Sequence, residues 1–180
     1  MKVEDSGMPD EGYWNQLFDI EGIIDWLDIP ANSTIVEIGC GYGTFTVPMA
    51  KKPGASIYAL DIEPSMIEVS ENNVLNSGLS NVEFILRDVL GLGTGLQAES
   101  ADMVLLFNIL HCSENRILLA EAGRILRPGG IIAIIHWRKD IPTPRGPANE
   151  LRPDIDQISE CLDGLNLHFH GNSKILKPYH

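Results

Sequence analysis

Positive charge is scarce in this sequence: 13 Lys and Arg stand against 25 Asp and Glu, for a formal net charge of −12. A field of that sign repels phosphate backbones and anionic lipid surfaces, which argues against a general nucleic-acid or membrane-surface role but leaves room for a small local basic site. Long apolar runs are missing as well. The longest, Ile131 to Ile135, is far below the roughly 20 residues that a membrane-spanning helix needs. The start, Met-Lys-Val-Glu-Asp-Ser-Gly, is polar and has no apolar signal core. Cysteine is sparse: Cys40, Cys112 and Cys161 lie far apart with no CxxC pair, a pattern of free thiols in a reducing compartment and not of a disulfide framework or a zinc site. Internal repeats and low-complexity tracts are absent too. The expectation is a cytoplasmic chain with no metal centre.

What remains is ordinary globular material. With 180 residues, 44% hydrophobic and 21% charged, the chain suits a single domain over residues 1–180 with one core. Short apolar runs recur at Thr34–Ile38, Ser56–Leu60, Val82–Leu86, Met103–Phe107 and Ile131–Ile135. Near-continuous apolar strands of this length suit a parallel sheet covered on both faces. Helical patterns alternate with them. Tyr13 to Leu27 predicts one amphipathic helix within an N-terminal segment (1–30). Pro64 and Ser65 open a second that Gly78 stops, and Ser113 and Glu114 open a third that Pro128-Gly129-Gly130 ends in a turn. The four prolines of 139–153 predict a stiff loop inside the domain. The fold class is α/β: a Rossmann-like, doubly wound, three-layer α/β/α domain.

The segment Glu37-Ile-Gly39-Cys40-Gly41-Tyr-Gly43-Thr44 leaves the first strand and enters a helix. Glycine there lets a ligand approach the backbone and meet helix N-terminal amides. The dinucleotide fingerprint would place its third glycine where Thr44 stands. An acid at Glu37 suits a cationic amine better than a pyrophosphate. Such loops also occur as plain tight turns, so the carboxylates that follow matter. Asp61 ends the second strand, where an acid reaches both hydroxyls of a ribose, and Asp88 follows the third, where it can accept from an exocyclic amine. Either could instead cap a helix. Three acids on three successive strand tips beside the glycine loop point to a bound ligand at the carboxyl ends of the strands.

These landmarks, with Arg124-Ile-Leu-Arg-Pro-Gly-Gly, resemble class I S-adenosylmethionine (SAM)-dependent methyltransferases, and within them the small ubiquinone- and menaquinone-pathway type, over roughly residues 33–137. The resemblance implies SAM as cofactor and S-adenosylhomocysteine as product. It implies that Glu37 and the backbone of Gly39, Cys40, Gly41 and Gly43 hold the methionine end, that Asp61 takes the ribose, and that Ile62 packs on the adenine. Asp88 and the Val89 backbone would read the adenine edge, and Asn108 would lie near the reacting methyl. It also implies about seven strands, the last antiparallel. Here the candidates for the final strands are 165–170 and 173–180, and Pro178 removes a ladder donor, so an incomplete last strand or a shortened C-terminus is expected.

Methyl transfer from a sulfonium asks mainly for alignment, and sometimes for removal of a proton. Candidates come from the tips of the fourth and fifth strands. His111 is a possible base or a helix-capping residue, and Cys112 beside it hints thinly at thiol or metalloid chemistry. His136 could be a base or a metal ligand, and Trp137 a pocket wall or plain core. Arg145, between Pro144 and Pro147, would present its guanidinium to an anionic group or form a structural salt bridge. Tyr13 and Trp14 could close over the cofactor as a lid or simply pack. The expected partner is a small-molecule substrate, with the chain a monomer or homodimer. A non-catalytic SAM-binding sensor or partner subunit, and a nicotinamide-dependent oxidoreductase, are the competing readings.

Overall fold

The computed structural model describes residues 8–111, 114–170, 173–176 and 178–180. Cys112, Ser113 and the polar start at 1–7, all named above, lie outside them. Five strands form: β1 (Thr34–Ile38), β2 (Ser56–Asp61), β3 (Val82–Leu86), β4 (Ala101–Phe107) and β5 (Leu126–Ile135). All pair in parallel in the order β3-β2-β1-β4-β5. Side chains alternate between faces with the period of two that a strand imposes. Ile35, Ile57, Met103, Leu105 and Ile135 join one core cluster, and Val36, Leu60, Val104 and Leu106 the other.

Helices cover both faces. On the first lie α1 (Glu11–Asn15), α2 (Ile20–Trp26) and α3 (Thr46–Ala50), with Ile23, Ile24, Met49 and Ala50 buried. The next helix, α4 (Pro64–Asn76), touches α3, β2 and β3. On the opposite face α6 (Asn115–Ile125) inserts Leu118, Leu119, Ala122 and Ile125. It carries α7 (Ile155–Leu162) on its outside, and the short α5 (Val89–Leu92) lies beside it. Strand order reverses between β1 and β4, so the crevice of a doubly wound sheet opens at their carboxyl ends.

Three expectations change. The single N-terminal helix is two, because the Asp19 carboxylate accepts from Gly22 N at 3.1 Å and starts a new helix. The break turns Leu17 and Phe18 into the core. Pro128-Gly129-Gly130 does not separate helix from strand: α6 stops at Ile125, and the turn is a bulge inside β5, where Leu126 pairs with Ala101 but Ile131 with Met103. Among the described residues the sheet has five strands and not seven. The described residues of these last candidates, 165–170, 173–176 and 178–180, form no strand; Leu176 and His180 exchange backbone bonds, and Tyr179 O accepts from Arg138 N at 2.9 Å. With Pro178 lacking an N–H, that tail cannot run on as a ladder.

Candidate functional site

One cavity of about 490 Å³ opens where β1, β2, β3 and β4 end. Its floor is the turn after β1. Gly39 and Gly43 have φ of 80° and 78°, and a Cβ on Gly39 would sit 2.7 Å from the Ile109 side chain, one on Gly43 2.5 Å from Ser70 Oγ. Glycine is required on both grounds. Gly39, Cys40 and Gly41 line the cavity, whereas Gly43 lies behind them against α4.

Glu37 points into this floor and is 2% exposed. Its only described partner is Thr46 Oγ1, which donates to Oε2 at 2.5 Å. Burial pushes the Glu37 carboxyl up to about 8, with Thr46 opposing and Asp61 adding to the shift. Burial also raises the Cys40 thiol, helped by Glu37 and Asp61, so Cys40 is an inert lining residue. Asp61 is held by backbone: Gly41 N donates to Oδ2 at 2.9 Å and Glu63 N to Oδ1 at 3.0 Å. Desolvation raises its carboxyl against those bonds. Ile62 and Val89 line the cavity beside it. Asp88 does two jobs, lining the cavity and capping α5 through Gly91 N at 3.1 Å. The capping alternative for Asp88 is therefore real, and compatible with a ligand role.

At the β4 tip, Asn108 adopts φ 57°, a left-handed conformation uncommon for a side-chain-bearing residue. Its N–H donates to Ile135 O at 2.7 Å. Its buried side-chain amide has no hydrogen-bond partner at either atom among the described residues. His111 also lines the cavity, and burial holds its imidazole below the usual histidine range, the Asn108 carbonyl opposing. His136 lies behind the lining, its ring centroid 6.4 Å from that of His111. Burial pushes it down to about 4, partly opposed by the Trp137 carbonyl. His111 Nδ1 and His136 Nε2 make no hydrogen bond of normal geometry among the described residues. Aromatic rings wall this end: Trp137, Trp14, Phe45 and Phe107, with Trp14 and Trp137 edge-on at 6.2 Å and Phe45 and Phe107 at 4.8 Å.

Arg145 is not brought there. It is exposed and absent from the cavity lining. The reason is local: Gly146 packs on Trp137, where a Cβ would meet the ring at 2.8 Å, and Thr143 Oγ1 donates to Arg145 O at 2.6 Å, which turns the side chain outward. The residue that organises this loop is Arg152, buried, donating to Pro147 O at 2.9 Å and Arg138 O at 2.8 Å. Neither Arg152 nor Thr46 carries a sequence signal, because each acts through contacts that only the folded chain creates. Arg87, also unforeseen, lines the cavity but is tied to Gly93 O at 2.8 Å and Leu92 O at 3.0 Å.

Residues 8–15 lie over the glycine loop. Tyr42 OH donates to Pro9 O at 2.7 Å, Thr44 Oγ1 to Asn15 Oδ1 at 2.7 Å, and Asn73 Nδ2 to Glu11 Oε1 at 2.8 Å. Met8 and Trp14 reach the cavity while Tyr13 points to solvent. If this strap closes on ligand, amide exchange across residues 8–20 slows when S-adenosylhomocysteine is added. Exchange identical with and without it would mean plain packing.

A methyltransferase domain family model matches residues 29–174 of this chain, and the chain belongs to that family. The match establishes the family, not a branch within it. A SAM-dependent methyltransferase from Aquifex aeolicus superposes with a TM-score of 0.75 at 23% identity, covering 88% of this chain and 84% of that one, a likeness that shows the shared fold. Among curated relatives, Methyltransferase GfsG of Streptomyces halstedii is 29% identical over 63% of this chain and 41% of its own length. An arsenite methyltransferase of Halobacterium salinarum is 27% identical over 74% and 33%. This chain thus spans less than half the length of these curated relatives.

Proposed function

We propose that this protein is a class I methyltransferase that moves the methyl group of SAM to a small-molecule acceptor and leaves S-adenosylhomocysteine. One observation carries the reading: a buried carboxyl, Glu37, has no cationic partner among the described residues at a glycine turn too tight for a side chain, and two more acids occupy the next two strand tips along the same cavity. Those groups fit SAM. Glu37 would receive the ammonium of its methionine end, with Thr46 fixing the carboxylate. Asp61, aimed by Gly41 N and Glu63 N, would accept from the ribose hydroxyls. Asp88, Val89 and Ile62 would surround the adenine. Bound SAM supplies an electrophilic methyl, and the chain's own task is to orient a nucleophile beside Asn108 and to exclude water with Trp14 and Trp137. His111, which lines the cavity and whose imidazole burial holds below the usual histidine range, would take a proton from the acceptor. A buried carboxyl at the β1 tip, protonated until a cation draws its proton off, offers no counter-charge to the pyrophosphate of a dinucleotide.

Calorimetric titration tests this directly. SAM and S-adenosylhomocysteine are expected to bind at least tenfold tighter than NAD. Binding of NAD in preference to both would overturn the assignment.

A further inference from the structure

The charges around the cavity are distributed unevenly, and the pattern bears on the acceptor. Among the described residues the one cation lining it is Arg87, which spends its guanidinium on the carbonyls of Leu92 and Gly93 at the adenine side. Arg145 faces solvent, and Arg152 is engaged by loop carbonyls outside the lining. Among the described residues an anionic acceptor would therefore meet no free guanidinium or ammonium in the cavity lining, although the Arg152 charge is felt at His136 behind it, and the net charge of −12 repels an anion in general. What does face that end is different in kind. Four aromatic rings, Trp14, Phe45, Phe107 and Trp137, line the same cavity as the imidazole of His111 and the buried amide of Asn108, which has no partner at either atom among the described residues. Ring faces stabilise an organic cation. An amide oxygen accepts an N–H, and a neutral imidazole can take a proton without repelling a cation.

We infer that the acceptor is an organic amine, taken up against the Trp14–Trp137 wall and methylated on nitrogen. This rests on the methyltransferase reading above. The ammonium is drawn in by the protein's negative field and the aromatic lining, loses one proton to His111, and presents its lone pair with an N–H donated to the Asn108 oxygen. The nitrogen then forms a bond to the methyl carbon as the carbon–sulfur bond breaks. Sulfur keeps that electron pair and becomes a neutral thioether, the nitrogen carries the positive charge, and His111 returns its proton to solvent. His136, behind His111, stays neutral at working pH and so does not block protonation of its neighbour.

The test uses three isosteric probes with one ring and different head groups: 2-phenylethylamine, 2-phenylethanol and phenylacetate. Binding to the protein saturated with S-adenosylhomocysteine is read by tryptophan fluorescence, and methyl transfer by mass spectrometry with SAM. The amine is expected to bind at least tenfold tighter than the other two and to gain 14 mass units per transfer. Phenylacetate binding as tightly as the amine, or none of the three binding, overturns the amine assignment. Failure of S-adenosylhomocysteine to bind in the same calorimeter would instead overturn the methyltransferase reading. His111→Gln is expected to lower kcat for the amine at least thirtyfold with cofactor affinity retained, and an aniline, neutral at pH 7, should recover part of the loss. An equal loss for both amines would remove His111 from the proton path.

Discussion

Asp61→Ala is expected to weaken S-adenosylhomocysteine binding by ~1–3 kcal/mol, about 5- to 150-fold, the cost of leaving buried ligand hydroxyls without their acceptor. The expectation follows from how the carboxylate is mounted. Each oxygen already takes one backbone N–H, from Gly41 and from Glu63, so the side chain is aimed before any ligand arrives and its remaining lone pairs face the cavity. Removing it also frees Gly41 N, a donor at the glycine turn itself. Asp61→Asn keeps the shape but turns an NH₂ toward one of those backbone donors, and should fall between the wild type and alanine. Calorimetry on the three proteins, each first checked for its melting temperature, measures the effect. Affinity unchanged in the alanine variant would remove the ribose from this strand tip.

The second large effect is linked to pH through Glu37. Burial raises its carboxyl from the ordinary 4.5 to about 8, so the free protein holds it protonated at pH 7. A cationic amine placed against it favours the carboxylate, and the proton must leave. Cofactor binding should therefore release close to one proton at pH 6.5–7. The affinity should climb as pH rises toward about 8 and level off above that, where the free protein already holds Glu37 ionised. Without ligand the same group acts on stability in the opposite sense. A carboxyl with a raised folded-state value contributes stability that is fully present below 4.5 and is lost as pH rises through 8. Stabilisation by S-adenosylhomocysteine should thus grow between pH 5 and 8. Calorimetry in two buffers of different ionisation enthalpy counts the proton. Glu37→Gln is expected to abolish the proton release and to lower affinity more than tenfold. A wild-type protein that binds with no proton exchange at pH 6.5–7 would show that the ligand's ammonium does not reach Glu37.

The parts of this molecule legible in its sequence share one property: they depend on neighbours along the chain. Apolar runs of four or five residues read as strands, because a strand buried on both faces needs little else. All five appear, with β4 and β5 starting two and five residues earlier than the runs suggest. The glycine spacing and the acids at 37, 61 and 88 mark strand tips: Glu37 is the second-last residue of β1, Asp61 closes β2, and Asp88 follows β3 by two residues. The N-terminal helix was misread for the complementary reason. Its apolar spacing is continuous, but the Asp19 cap and the pull of the core on Leu17 and Phe18 outweigh the periodicity.

The acceptor side resisted such reading. Proline on both sides of Arg145 implies a stiff loop, yet stiffness does not say which way a side chain points, and Arg145 is exposed where Gly146 packs on Trp137. Arg152, seven residues on, is the buried one. Thr46 meets Glu37 only because the glycine turn reverses the chain, and His111 meets His136 only because β4 and β5 are adjacent in the sheet. Sequence alone determined the family, the strands and the acids that line the cavity at their tips, because local periodicity and residue chemistry at strand ends specify them. Tertiary structure alone decided which described cations line the cavity and which rings wall it, because those are contacts between segments distant in the chain, set by how the loops after β4 and β5 pack.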